Sequence, residues 1–311
     1  MHYDELMGES PRSHGSFWRR LFRGVFRLIE PSDAPAFAAT ADAEKVLDLT
    51  VTDRFHTKQG RSTARHVLPT PTGDVTVYLK RHYRLPRRHG ILATLFPKAG
   101  WSPAMHEWQH LQWARSQGLP VPRPVAAAEY IGPWGRLRSF LAVEELTDML
   151  PLHLAIPAAA AQLPAAVFAR WKRSLVIELA RLARALHDRR YFHKDLYLCH
   201  FYIHRDHTLS LPGDWTGRVF MIDFHRLQRH RWTWPLWQSK DLAELLFSSE
   251  IVGVTARDRI RFWRAYVGTR RHGFFVALLR RLILFKWHLY QRHNRKLDRR
   301  KPSDSRLAAS A

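Results

Sequence analysis

Two acidic residues stand in segments whose composition is typical of phosphoryl transfer. Asp195 lies in the run His193-Lys194-Asp195, which is expected to form a loop after a helix, and Asp223 follows the apolar segment 219–222. Phosphoryl transfer depends on positioning the reactants and on neutralising oxygen charge, so two carboxylates with different tasks suffice. The pattern predicts that Asp195 orients an attacking hydroxyl and that Asp223 holds a metal ion on nucleotide phosphates.

A lysine and a glutamate earlier in the chain have the order expected of a phosphate-binding pair. Segment 75–80 alternates apolar and polar residues, which predicts a half-buried strand with Lys80 on the face opposite its apolar row. Glu107 lies in a predicted helix over 104–117, and Gly118 is suited to end that helix. We expect Glu107 to pair with Lys80 and to hold it toward the phosphates.

Two further segments are predicted to contact the nucleotide. Segment 55–65 occupies the position of a phosphate-covering hairpin loop, in which Gly60 gives conformational freedom and Lys58, Arg61 and Ser62 offer donors. An apolar strand that starts at Phe140 leads into Glu144, Glu145 and Leu146, where backbone groups of a hinge would meet adenine. Gly60, Arg61, Ser62, Glu144, Glu145 and Leu146 are therefore candidate nucleotide-binding residues.

One long helix and two residues are predicted to support the loop around Asp195. Apolar residues from Phe168 onward recur at helical spacing, which predicts a long helix that ends near His187 and delivers the chain to this loop. His193 is expected to pack beneath the loop. Asp241 is expected to open a later helix as its N-terminal cap and to brace the loop, a structural role.

These segments resemble a known group, the lipopolysaccharide core kinases of the WaaP type, which share a kinase-like superfamily with the Kdo kinases. The resemblance rests on segments 193–201 and 222–226 and on Glu107 followed by 118–125. It implies an α+β, two-lobed protein-kinase-like fold with a small antiparallel-sheet N-lobe and a mainly helical C-lobe. It also implies ATP-dependent phosphorylation of a heptose or Kdo hydroxyl in the inner core of lipopolysaccharide, with that core or a related glycolipid as acceptor.

The resemblance and the charge pattern together predict four regions. We expect a basic extension over 1–48 with an amphipathic helix at 15–30, an N-lobe over 49–146, a C-lobe over 147–301, and a disordered tail over 302–311. The C-terminal stretch 274–301 interleaves apolar and basic residues and predicts a second basic amphipathic helix. Extra basic terminal helices would thus flank the kinase-like lobes.

The chain departs from ordinary protein kinases at two positions. His200 stands where a protein kinase has its metal-binding asparagine, so it is a candidate ligand beside Asp223. Mg²⁺ with ATP is the expected pair, and Mn²⁺ is the alternative because imidazole suits Mg²⁺ poorly. His225 replaces the glycine of Asp-Phe-Gly, which disfavours an activation flip. Arg61, Arg65 and Arg226 are expected to add positive charge near the phosphates or the acceptor.

The formal net charge of +23 predicts an anionic partner, and nucleic acid, anionic lipid and phosphorylated glycolipid all qualify. Near the N-terminus, aromatic and aliphatic residues share one helical face while arginines gather on the other, which favours an anionic membrane surface. Neither terminal stretch has about 18 uninterrupted apolar residues, so we expect no transmembrane helix and no secretory signal. With a single cysteine, Cys199, the sequence indicates a cytoplasmic protein that is peripheral on the inner membrane.

Three alternatives remain open at the level of sequence. His106-Glu107-Trp108-Gln109-His110 matches the HExxH motif of zinc metalloproteases. A pseudokinase that binds nucleic acid or another anionic surface would explain the charge and the 12 tryptophans, although no specific nucleic-acid motif accompanies them. A kinase with another glycan, a lipid-linked sugar or a protein as acceptor would share the same catalytic residues.

Overall fold

The computed structural model describes residues 16–49, 60–97, 100–269 and 273–300 of the chain. It contains two compact units. One comprises the described residues of 1–147 together with Asp223–His225, and the other comprises those of 148–222 and 226–311. The first unit is built on an antiparallel sheet and the second is mainly helical, so the predicted fold class is confirmed. The predictions for Lys58 and for segment 302–311 lie outside the described residues.

The sheet of the first unit positions Lys80. Its strands are β1 (Val25–Ile29), β2 (Arg61–Thr70), β3 (Gly73–His82), β4 (Pro124–Gly132) and β5 (Arg136–Glu144), in the spatial order β1-β4-β5-β3-β2. All neighbouring pairs are antiparallel, and Lys80 lies between Thr63 of β2 and Leu141 of β5. Val77 and Leu79 are fully buried beside Phe140, so the alternation along β3 places Lys80 on the opposite face, as predicted.

Helix α4 positions Glu107. The helices of this unit are α1 (Phe17–Phe22), α2 (Thr40–Lys45), α3 (Arg87–Leu95) and α4 (Pro103–Ser116). Helix α4 begins at a cap in which the Ser102 hydroxyl accepts a hydrogen bond from the Met105 backbone N–H. It ends before Gly118, whose φ of +68° suits glycine, within a residue of the predicted bounds. Trp108 and Leu111 are buried, and this anchors the turn that carries Glu107.

The predicted amphipathic helix over 15–30 is wrong beyond its first turns. Helix α1 ends at Phe22, Gly24 turns the chain with a φ of +88°, and β1 pairs with β4. Arg27, which a helical pattern assigns to a solvated face, is only 1% exposed, and its Nη1 lies 2.7 Å from Glu129 Oε1. A buried charge needs a partner, and this partner is far away in the sequence, so the local pattern could not indicate it.

The second unit delivers the chain to the loop around Asp195. Its helices are α5 (Leu152–Gln162), α6 (Ala165–His187), α7 (Trp234–Ser248), α8 (Ala256–Val267) and α9 (Phe274–Arg300), and its short strands are β6 (Met149–Pro151), β7 (Tyr191–Phe192), β8 (Phe201–His204), β9 (Phe220–Met221) and β10 (Gln228–Arg229). The predicted apolar stripe of α6 is buried from Trp171 to Leu186. Strand β7 follows α6 directly and leads into His193.

Helix α7 begins earlier than predicted. The sequence suggested that Asp241 opens this helix as its cap, but α7 starts at Trp234, with Pro235 in its first turn. Asp241 therefore lies in the middle of α7, where it is fully buried. The capping prediction is wrong because the tryptophan-rich segment before Asp241 has no simple apolar period and resembles a loop.

Helix α9 packs one face against α7 and the following turn. Trp287 donates a hydrogen bond from Nε1 to Glu250 Oε1 at 2.7 Å, and the Tyr290 ring meets that of Phe247 at 6.0 Å between centroids. Phe274 and Phe285 are mostly exposed. The predicted C-terminal helix is thus present, and it contributes to the packing of the second unit. Within the described ranges, no helix has the length and apolar character needed to cross a bilayer.

Candidate active site

Lys80 is the centre of an ion cluster in the first unit. Its Nζ lies 2.6 Å from Glu107 Oε1 and 3.3 Å from Asp223 Oδ1. Burial opposes the lysine charge, but the two carboxylates outweigh it, and the pKa of Lys80 is raised. Lys80 is therefore a fixed cation at neutral pH. Three residues that are far apart in the chain and were predicted to act together are brought into direct contact.

Asp223 is held by its own short segment. Its φ of +66° is unusual for a residue with a side chain, and this turn brings the carboxylate to Lys80. His225 Nδ1 lies 2.7 Å from Asp223 Oδ1, and His110 Nδ1 lies 3.1 Å from the Phe224 carbonyl oxygen. The histidine at the position of the kinase glycine thus contacts the acidic residue directly, a contact that sequence reasoning did not anticipate.

A neutral histidine lies near Lys80. Burial, as the largest cause, together with the positive charges of Arg61 and Lys80 lowers the pKa of His82 to about 4. His82 follows Lys80 by two residues on β3 and therefore shares its face of the sheet. His82 is therefore uncharged at neutral pH and does not add to the positive charge of Lys80 and Arg61.

The predicted phosphate-covering loop is described only from Gly60 onward. Gly60 has a φ of +59°, and its carbonyl oxygen accepts a hydrogen bond from the Tyr83 N–H at 2.8 Å. Arg61 and Ser62 open β2, and Ser62 is buried with its hydroxyl 3.0 Å from the Tyr83 hydroxyl. Gly60 and Ser62 thus secure the β2–β3 edge. A contact of these residues with nucleotide stays a prediction.

The carboxylates of the predicted hinge are paired within the first unit. Arg65 donates from Nε to Glu145 Oε1 at 2.8 Å and from Nη2 to Oε2 at 2.9 Å, while Arg123 donates to Glu144 at 2.6 Å. The Glu145 backbone N–H donates to the Thr76 carbonyl. The side chains therefore fix the end of β5, and the predicted contact of Glu144, Glu145 and Leu146 with adenine would use backbone groups.

Asp195 lies in the second unit, where an arginine holds it. Arg226 Nη1 lies 2.8 Å from Asp195 Oδ1 and 2.9 Å from Oδ2. His200 Nδ1 lies 2.6 Å from the Asp195 carbonyl oxygen and thereby closes the loop. The first contact fixes the carboxylate and the second fixes its backbone. His200 is thus near Asp195 in this unit, and its role as a metal ligand stays a prediction.

Helix α7 braces this loop from below. Asp241 accepts hydrogen bonds from the backbone N–H groups of His193 and Lys194, both at 2.8 Å, and its Oδ2 lies 3.2 Å from His187 Nε2. Glu244 accepts from the Leu196 N–H at 3.3 Å. The bracing expected of Asp241 is therefore made from the middle of a helix.

Glu244 and Ser248 were missed by sequence reasoning. Ser248 accepts from the Leu198 N–H at 3.0 Å, and burial raises the pKa of Glu244 to about 7 despite the neighbouring Lys240. With Asp241, they occupy positions i, i+3 and i+7 of one helix. That spacing of polar residues on an otherwise apolar face was the available signal.

His193 connects the loop to the strand that precedes Asp223. The His193 side chain is nearly fully buried, and its Nε2 lies 3.0 Å from the Ile222 carbonyl oxygen. This contact lies wholly within the second unit. His193 therefore packs beneath the loop, and its ring is a structural link.

The side chains around Asp223 suit a metal ion whose other ligands come mainly from a nucleotide. Among the described residues there is no group of three or more His, Cys, Asp or Glu side chains that could hold a metal. Mg²⁺ typically binds one or two carboxylates and completes its shell with water and phosphate oxygens. Asp223 supplies such a carboxylate, so the residues present fit a nucleotide-bound Mg²⁺ better than a zinc site made by the protein alone.

The HExxH alternative does not agree with the environment of Glu107. In a metalloprotease this glutamate would be the general base beside zinc. Here Glu107 is 2% exposed and pairs with Lys80, while His110 contacts the Phe224 backbone. The motif residues are thus engaged in the packing of a kinase-like lobe.

A strand lysine paired with a helix glutamate and a carboxylate after a short strand, together with an aspartate loop braced by a helix, defines a protein-kinase-like fold. The model of the lipopolysaccharide kinase (Kdo/WaaP) family matches residues 52–266. The chain belongs to this family.

Individual relatives agree with this assignment. The lipopolysaccharide core heptose(I) kinase WaaP of Pseudomonas aeruginosa is 35% identical over 176 residues, which are 57% of this chain and 62% of that protein. The enzyme of the same name from Escherichia coli K12 is 32% identical over 184 residues, 57% of this chain and 64% of that protein. The chain thus spans less than two thirds of the length of these relatives.

A solved structure is also similar. A structure of WaaP in complex with acyl carrier protein is 26% identical, with a TM-score of 0.57, and the match covers 89% of this chain and 100% of that one. The similarity therefore extends well beyond the motif-bearing segments.

Proposed function

We propose that this chain transfers the γ-phosphoryl group of ATP to a hydroxyl of a heptose in the inner core of lipopolysaccharide. The observation that carries the proposal is the cluster in which Lys80 Nζ lies 2.6 Å from Glu107 and 3.3 Å from Asp223, in a member of the Kdo/WaaP family. The names of the relatives, heptose(I) kinases, support the choice of acceptor. Transfer of labelled phosphate from ATP to dephosphorylated core tests it.

Each candidate residue has one task in this reaction. Lys80, held by Glu107, contacts nucleotide phosphate oxygens, and Asp223 holds Mg²⁺, which neutralises phosphate charge when bound. The acceptor oxygen forms a bond to the γ-phosphorus as the bond to the leaving oxygen of ADP breaks. Asp195 accepts the proton of the acceptor hydroxyl. Arg226 keeps the Asp195 carboxylate oriented for that proton.

The acceptor is a membrane glycolipid precursor, so we propose that the chain binds peripherally to the inner membrane through its first unit. The Trp18 ring of α1 stacks on the Phe22 ring at 5.8 Å between centroids, and the Phe22 ring meets the Trp134 ring edge to face at 5.4 Å. Trp18 and Trp134 are 65% and 68% exposed. The surrounding residues of α1, α3 and the Trp134 turn include exposed apolar and basic side chains, namely Phe17, Ile91, Leu95, Phe96, Arg19, Arg23, Arg87, Arg88 and Arg136.

Aromatic rings with flanking arginines suit the interface of an anionic bilayer. We expect the double substitution Trp18→Glu and Trp134→Glu to lower partitioning onto vesicles containing phosphatidylglycerol about tenfold or more, because it removes two interfacial anchors and adds negative charge. Vesicle co-sedimentation measures this. Val252→Glu, at a position 75% exposed in the second unit, is the control. Equal partitioning of all three proteins would contradict the surface assignment.

An acyl carrier protein is a second proposed partner, and no sequence motif indicated it. The similar WaaP structure is a complex with acyl carrier protein. In this chain an apolar pocket of the second unit is lined by side chains of α5 to α8, including Ile156, Leu175, Leu179, Leu242, Leu245, Leu246 and Phe262. Such a lining suits an acyl chain. We expect acylated carrier protein to bind more tightly than the unacylated form in calorimetric titration, and equal affinities would contradict a role for the pocket.

A further inference from the structure

A basic and aromatic segment runs beside the loop that carries Asp195. Strand β10 pairs with β7, so that Gln228 lies opposite Phe192 and Arg229 opposite Tyr191. The His230 N–H donates to the Arg190 carbonyl at 2.9 Å and extends this pairing by one residue. Because β7 ends where the Asp195 loop begins, segment 226–237 is fixed next to that loop.

Two tryptophans of this segment contact cationic side chains that flank β7. Arg190 Cζ lies 3.9 Å from the ring centroid of Trp234, and Lys194 Nζ lies 4.2 Å from that of Trp237. The His230 ring stacks on Trp237 at 4.6 Å. Lys194, one residue before Asp195, also donates a hydrogen bond to Gln228. These contacts hold the two tryptophans in fixed orientations beside the loop.

Trp232 is the most exposed large apolar side chain among those described, at 89%. Its neighbours Arg229 and Arg231 are exposed as well. Segment 226–237 contains three arginines and no acidic residue. Burial lowers the pKa of Lys194, and the nearby positive charges of Arg226 and Lys240 add to this effect. The surface is therefore strongly positive and carries an uncovered indole.

The chemistry of this surface limits its ligand. Arginine guanidinium groups pair with carboxylate or phosphate oxygens through parallel hydrogen bonds. An exposed indole offers a flat apolar face with a polar edge, which fits the C–H face of a pyranose ring. A ligand with both features, placed beside the residue that receives a hydroxyl proton, is an acidic sugar.

We propose that Arg229, Arg231 and Trp232 form an acceptor subsite that binds an anionic sugar unit adjacent to the one phosphorylated. The sugar ring stacks on Trp232 and its acidic group pairs with Arg229 and Arg231. The inference rests on the proposed function, because it assigns the substrate-binding surface of the same reaction. In this proposal Arg229, Arg231 and Trp232 determine acceptor specificity, and Asp195 accepts the proton.

The test measures both catalysis and binding with dephosphorylated core oligosaccharide, in its native form and with its carboxylates reduced to alcohols. We expect Trp232→Ala, and separately the pair Arg229→Gln and Arg231→Gln, to raise the KM for the native oligosaccharide about tenfold. The KM for ATP should stay the same, and kcat should change less than about twofold. The arginine pair should also abolish the preference for the native over the reduced form.

Matched controls lie in the same unit. Leu209→Ala removes a side chain that is 60% exposed. The pair Arg173→Gln and Arg257→Gln removes two exposed arginines elsewhere. Neither control should change the KM for the oligosaccharide, and melting temperatures establish that all variants fold.

Calorimetric binding of the oligosaccharide separates this inference from the proposed function, since binding needs no turnover. Transfer by the wild type with unchanged KM and Kd in the Trp232 and arginine variants would overturn the subsite alone. No transfer by the wild type, but binding that depends on Trp232, would support the subsite and overturn the proposed function. Absence of binding, or competition only by acidic peptides, would overturn the sugar assignment.

Discussion

Replacing Asp195 with asparagine is expected to reduce kcat by roughly 10²- to 10⁴-fold, the range that a positioned proton acceptor contributes. Asparagine keeps the shape of the side chain and, through its amide oxygen, one of the two hydrogen bonds from Arg226, but it cannot take the proton of the acceptor hydroxyl. The KM for ATP should change little, because Asp195 lies in the second unit and the Lys80 cluster in the first. Initial rates of phosphate transfer measure the effect.

The matched control for this variant is Asp206→Asn. Asp206 is also in the second unit, and its side chain is 76% exposed. It should retain wild-type kcat, and both variants should melt at the wild-type temperature. An Asp195→Asn variant that keeps more than about a tenth of the wild-type rate would contradict the assigned role.

Replacing Lys80 with methionine is expected to lower kcat/KM for ATP at least about a hundredfold, the effect of removing one preorganised donor to a charged oxygen. The same change leaves Glu107, which is 2% exposed, without its cationic partner. The variant should therefore also melt at a lower temperature. Steady-state kinetics with varied ATP and thermal melting measure the two effects.

A second variant separates those effects. Adding Glu107→Gln to Lys80→Met removes the unpaired buried charge, so the melting temperature should recover while the activity should not. Lys45→Met, at a side chain that is 75% exposed, is the control and should match the wild type in both measurements. Recovery of activity in the double variant would contradict a role for Lys80 at the phosphates.

The contact of Lys80 with Glu107 could be predicted because β3 has a clear period and the two residues follow the order of a kinase phosphate-binding pair. Alternation indicated the face of β3 that carries Lys80, and Gly118 indicated the end of α4. The spacing of Asp195 and Asp223 could be interpreted by resemblance. Local patterns and motif order therefore sufficed wherever the partner elements were regular.

The N-terminal segment could not be predicted in this way. The arginines of this segment were assigned to the polar face of one helix, yet Arg20 and Arg27 are buried. Arg20 donates from Nε to the Thr94 carbonyl at 2.9 Å, and Arg27 pairs with Glu129. Both partners are distant in the sequence, and a local hydrophobic pattern contains no information about them.

The surface around Trp232 could not be predicted from the sequence for a related reason. The sequence showed only that segment 226–237 is rich in tryptophan. The position of these tryptophans beside the Asp195 loop depends on the pairing of β10 with β7. The same pairing brings Arg226 into the region of Asp195. Charge and aromatic content indicated an anionic partner, but only the tertiary arrangement places them beside the catalytic loop.

The proposed sugar-kinase activity is tested by transfer of the γ-phosphate from labelled ATP to dephosphorylated lipopolysaccharide core, with Mg²⁺ and Mn²⁺ in parallel. We expect labelled core with the wild type and none above background with Asp195→Ala or Asp223→Ala. No labelled core, together with no thermal stabilisation of the wild type by ATP and metal, would contradict the proposal that this chain is an ATP-dependent sugar kinase.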